Sequence, residues 1–87
     1  MEELQEILLC DGLEKAFMGV CYRFGQSPIA IYDQNKILKI YQDRDGMTAE
    51  EAQEFFEFNV LGAWVGDRTP AFINKISLKQ LNDWSGR

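Results

Sequence analysis

Residues 48–51, Thr-Ala-Glu-Glu, constrain this chain more than any other four. A Thr three residues before a Glu forms a capping box. The hydroxyl accepts from the Glu51 amide, and the Glu51 carboxylate reaches back to the Thr48 amide. Acidic residues in the first turn also oppose the positive end of the helix dipole. A helix is therefore expected from about residue 49. Its apolar pattern carries it to about Val65, with Gly66 just beyond its end. At about 100° per residue, Ala52, Phe55, Phe56, Asn59 and Ala63 share one side, and Glu50, Glu54 and Glu57 share the other. Asn59 thus sits in the middle of the face expected to enter the core. A buried amide must find partners or cost about 1–3 kcal/mol per unmet group. The expectation is a brace: Asn59 bonded to backbone near residues 31–33 or 68–70. A ligand-binding role is the alternative.

The other elements are read around this helix. Leu4, Ile7 and Leu8 predict a short first helix, interrupted by Asp11-Gly12. Asp11 and Glu14 make a pattern like a capping box. Leu13, Phe17, Val20 and Phe24 then share a face, which predicts a second helix stopped by Gly25. Residues 29–32, opened by Pro28, read as a strand. Asp33 caps a helix carrying Ile37, Leu38, Ile40 and Tyr41, ended by residues 43–46. Pro70 opens a second strand within 71–76. Ser77 and Gln80 form a further capping box for a closing helix with Leu78, Leu81 and Trp84. The sum is a single compact domain over residues 1–87, α+β or small α/β, with about five helices and a two-stranded sheet. Two strands alone are marginal in water, so they lie on the helices or extend across a dimer. Parallel pairing is expected, with the two intervening helices as the crossover.

Composition narrows the function classes. The chain carries 9 Lys and Arg against 14 Asp and Glu, a net charge of −5, and no His. A surface of that sign disfavours direct nucleic-acid binding, which draws on basic side chains. It favours, weakly, a basic partner. Without His, the commonest general base and metal ligand is missing. Asp43-Arg44-Asp45-Gly46 resembles part of a calcium loop, but with Gly46 at the sixth position the first and twelfth fall on Tyr41 and Ala52, which offer no carboxylate. Neither metal nor cofactor is expected. Cys10 and Cys21 fit no zinc or redox spacing and read as reduced thiols. The first residues lack the basic flank of a signal peptide, and no apolar run reaches 18 residues, so neither export nor a membrane span is expected. The expected location is the cytoplasm.

Glu50, Glu54 and Glu57 give way, in the same angular sector, to Leu61 and Trp64. An acidic surface thus becomes an apolar one. Either another segment covers Leu61 and Trp64, or they form an exposed patch of the kind that marks an interface. Gly62 between them would allow a close helix approach. Catalysis by the acidic row would need Glu50 or Glu54 opposed across an apolar cleft that raises one pKa.

The run Arg44–Ile73, RDGMTAEEAQEFFEFNVLGAWVGDRTPAFI, resembles a family of small uncharacterised bacteriophage and bacterial proteins. These share DGM-x-x-EEA, then FN-x-x-GA-[YW]-VG-x-x-TP-x-F. Residues 7–38 look like the same family's upstream pattern, and Trp64 occupies its Tyr/Trp position. The resemblance implies a phage or mobile-element origin, a cytoplasmic location in the host, and no assigned catalytic residues.

Two functions follow as expectations. The first is a non-catalytic protein that forms a dimer, its strands or Trp64 meeting a second copy. It would bind a host or phage protein through Glu50, Glu54, Glu57, Leu61 and Trp64. Inhibition of a bacterial defence system such as CRISPR is one form of this. The second is a small-ligand binder, with Tyr32, Asp33, Asn59 and Thr69 lining a pocket between the strands and the long helix.

Overall fold

Ile29–Asp33 is the strand around which the rest is built. We label it β2 because Phe17–Cys21 precedes it as β1. The computed structural model describes residues 7–84. Ile29, Ala30, Tyr32 and Asp33 are all buried, as expected of a central strand covered on both faces. β1 pairs with β2 antiparallel, and Ala71–Ile73 (β3) pairs with its other edge in parallel. The order is β1-β2-β3. Among the described residues the fold is thus a small α+β domain with a three-stranded mixed sheet and three α-helices.

The parallel pair requires a crossover, and two helices supply it. Gln34–Asp45 (α1) starts at Asp33, whose Oδ1 accepts from the amides of Asn35 at 2.9 Å and Lys36 at 3.2 Å. It stops at Gly46, whose φ of 71° is the left-handed cap that glycine takes at least cost. Ala49–Phe56 (α2) begins with both bonds of the Thr48–Glu51 capping box. Leu78–Trp84 (α3) follows β3, and the Ser77–Gln80 box closes its start at 2.7 and 3.0 Å.

The core lies between the sheet and the α1–α2 hairpin. Leu13, Ala16, Ala30, Tyr32, Ile37, Tyr41, Ala52 and Phe56 form one buried cluster. Phe72 on β3 sits edge-on to Phe56, with centroids 5.2 Å apart, and tilts against Tyr32 at 6.1 Å. Tyr41 of α1 meets Phe55 of α2 edge-on at 5.0 Å. Such aromatic pairs add about 0.5–1.5 kcal/mol beyond their burial.

Three expectations need correction. The expected helix over 13–24 is a short 3₁₀ turn, Glu14–Ala16, followed by β1. Leu13 and Ala16 do enter the core, but Phe24 is fully exposed. Strand pairing with Ala30 and Ile31 outweighs the helical spacing. Gly19, at φ 147°, takes up a bulge in the β1–β2 ladder that few other residues tolerate. A glycine inside the expected helix would itself have cost about 1 kcal/mol. Second, the sheet has three strands, not two. Third, the helix expected to reach Val65 ends as an α-helix at Phe56. Glu57–Leu61 winds as a π turn, closed by the Gly62 amide on the Glu57 carbonyl at 3.1 Å. The first helix, expected on Leu4, Ile7 and Leu8, falls partly outside the described residues. Residues 7–10 are not helical.

Candidate partner-binding surface

The π turn decides where the predicted site residues go. More residues per turn rotate every later side chain backward relative to an α-helix. Val60, not Asn59, therefore continues the Ala52–Phe56 face and packs on the core. Asn59 is exposed, so water can satisfy its side-chain amide. It is not the expected brace. The close approach of the backbone at the end of this turn also explains Gly62: an added Cβ would stand 3.1 Å from the Glu57 carbonyl oxygen. The glycine serves its own turn rather than a helix approach.

Within the turn and just beyond it, most apolar side chains have little to pack on. Phe58 is 79% exposed, Leu61 55%, Trp64 72% and Val65 62%. Residues 65–69 are held by Thr69, whose hydroxyl accepts from the Val65 amide at 2.9 Å and donates to the Gly66 carbonyl at 2.6 Å. This places Leu61 and Trp64 on a cleft of about 470 Å³ with Arg23, Gln26, Asp67 and Pro70. Its floor is Ile29, Ala71 and Phe72, at the start of the parallel strands. Arg23 belongs to the β1–β2 connection. No local pattern points to Arg23, because the spacing of Leu13, Phe17, Val20 and Phe24 predicts a helix end there.

Glu50, Glu54 and Glu57 are all exposed. Glu57 accepts from the Gln53 amide at 2.8 Å. Glu54 lines a different cleft of about 550 Å³, with Glu51, Phe55, Phe58 and Asn59. The acidic row and the Leu61–Trp64 pair therefore open onto separate places. Glu50 and Glu54 stand on one helix, not opposed across an apolar cleft.

The four residues of the expected ligand pocket are also divided. Thr69 and Asn59 line one cleft of about 500 Å³, together with Leu13, Tyr41, Val60 and Phe72. Tyr32 and Asp33 are structural. The Tyr32 hydroxyl accepts from the Cys10 amide at 2.7 Å, tying the first described residues to the central strand. Burial raises the pKa of both Tyr32 and Cys10, so both stay protonated at neutral pH. Asp33 caps α1 and meets the Lys75 ammonium at 3.4 Å. Burial pushes its carboxyl up, but the Lys36 amide and Lys75 pull harder the other way, and the pKa is lowered overall.

Among the described residues no helix is long and apolar enough to cross a membrane. Compared with family models, curated proteins and solved structures, the chain matches none. The family resemblance thus stands on the quoted residues alone.

Proposed function

We propose that this protein is a non-catalytic binding module whose partner is another protein, docked over Leu61 and Trp64. The observation that carries the reading is Trp64, 72% exposed on a cleft that also presents Arg23. Trp and Arg are the residue types that most often dominate interface energies. An apolar patch rimmed by polar groups is the usual mark of an interaction surface. The apolar supply points the same way. Four exposed large apolar side chains, Phe58, Leu61, Trp64 and Val65, fall within one eight-residue stretch.

The family resemblance supports a host or phage protein as the partner, met in the host cytoplasm. Inhibition of a bacterial defence system such as CRISPR is the narrower form of this proposal. A net charge of −5 favours encounter with a basic surface. The test compares capture from bacterial lysate by the wild type, Trp64→Ala and Leu61→Ala. One defined species held by the wild type and lost by both variants is expected. Equal capture by all three would refute the surface assignment.

A second reading rests on the cleft shared by Asn59 and Thr69. It is mostly apolar, with a few polar groups, as small-ligand sites are. Native mass spectrometry and thermal shifts across metabolite and nucleotide panels test it. A retained ligand whose stabilisation disappears in Asn59→Ala supports it, and no shift with any compound removes it.

A further inference from the structure

The connection between β1 and β2 carries an aromatic side chain that packs on nothing. Arg23 to Gln26 form a turn, closed by the Gln26 amide donating to the Arg23 carbonyl at 3.2 Å. Gly25, its third residue, has φ 74°, the sign a type II turn needs there. The turn holds Phe24 at its corner, with the side chain fully exposed. A ring presented on a short, hydrogen-bonded turn loses little freedom when it is bound, which suits an anchor residue.

A receptor of matching chemistry adjoins this turn. Arg23 and Gln26 both line the Leu61–Trp64 cleft of about 470 Å³, whereas Phe24 between them does not. The ring thus stands beside its own cleft without entering it. The floor of the cleft, Ile29, Ala71 and Phe72, is apolar, and its volume lies in the range of sites that hold an aromatic ring. Its rim carries Arg23 and Asp67, both exposed. Among the described residues neither has an ion-pair partner, so the rim offers one free cation and one free anion.

We propose that the Leu61–Trp64 cleft receives Phe24 of a second copy of this chain. Knob and cleft lie side by side on one surface. A two-fold axis standing on that surface, between the turn and the cleft, carries each Phe24 into the cleft of the other copy. The same axis sets Arg23 of each copy toward Asp67 of the other, because a patch with one free charge of each sign is its own complement. Two Phe24 and two Trp64 side chains, at about 150–250 Å² each, cover about 600–1,000 Å². Stable interfaces bury about 1,200–2,000 Å², so this pair is weak and forms only at high concentration. The inference rests on the reading of the Trp64 cleft as a docking surface. It names what covers that cleft when no other partner is bound, and it makes self-pairing compete with the partner for the same residues.

The test is the light-scattering mass of the purified full chain over a concentration series. The wild type is expected to rise from 10.1 kDa toward twice that mass as the concentration approaches about 1 mM. Phe24→Ala and Trp64→Ala should each raise the dissociation constant at least about tenfold. Both side chains lie outside the core, so both variants keep the fold. R23D and D67R each set like charges together and should pair more weakly than the wild type. In their equimolar mixture every charge meets its opposite, and pairing should return to the wild-type level. A photoreactive side chain at position 24 should join cleft-lining residues of a second copy. A wild type that stays single at every concentration overturns the proposal, and a lysate adduct from position 64 would then leave the partner reading standing without it. A doubled mass that survives Phe24→Ala, a charge mixture no tighter than its components, or a position-24 adduct outside the cleft also overturns it. Absence of both the doubled mass and the lysate adduct removes both readings.

Discussion

Residues 29–56 and residues 57–70 are neighbours in sequence and opposites in construction. In the first region each helix start has its cap, and Ala30, Tyr32, Ile37, Tyr41, Ala52 and Phe56 meet in one core. In the second, the helix loosens into a π turn and Phe58, Leu61, Trp64 and Val65 face outward. Both regions are equally rich in apolar residues. The difference teaches that one set stabilises the fold while the other, among the described residues, stays exposed.

Substitution should separate the two regions by stability. The largest effect is expected at Phe56, which is 0% exposed. Phe56→Ala should cost about 3–5 kcal/mol in urea unfolding, enough to unfold much of so small a domain. Asp33→Ala comes next, at about 1–2 kcal/mol, because it removes the α1 cap. Its effect depends on pH. The folded carboxyl has a lowered pKa, so its contribution is present above the unfolded value of about 4 and is lost as pH falls through the folded value. The wild type should therefore converge toward Asp33→Asn in stability below about pH 4, measured by denaturation at a series of pH values. Thr48→Ala should cost about 1 kcal/mol through half of the capping box. Asn59→Ala and Trp64→Ala should each stay within about 0.5 kcal/mol of the wild type. A cost above about 2 kcal/mol at Trp64 would erase the contrast between the regions.

The legible part of this fold was the part built from local chemistry. Asp33, Thr48 and Ser77 each announced a helix because their cap partners lie two or three residues away in the sequence. The parallel crossover followed from the order of elements. What stayed hidden depended on distant pairing. Phe17, Val20 and Phe24 have helical spacing, yet Phe17–Cys21 answers to Ile29–Tyr32 across the ladder, which the local pattern does not encode. Gly19 was the available warning. The π turn was hidden for a similar reason, since one added residue per turn leaves the composition unchanged while moving Asn59 out and Val60 in. Leu61 and Trp64 are both exposed and line one cleft. Arg23, their neighbour in the cleft, comes from a segment 38 positions earlier than Leu61, and no local pattern joins them.

The central claim is that the surface around Trp64 is where a partner docks. Photocrosslinking in bacterial lysate tests it most directly, with a photoreactive side chain placed at position 64 and, as control, at the exposed position 42. The account predicts one discrete adduct from position 64, suppressed by excess unmodified protein and absent from position 42. No adduct at position 64, or the same pattern from both positions, would contradict it.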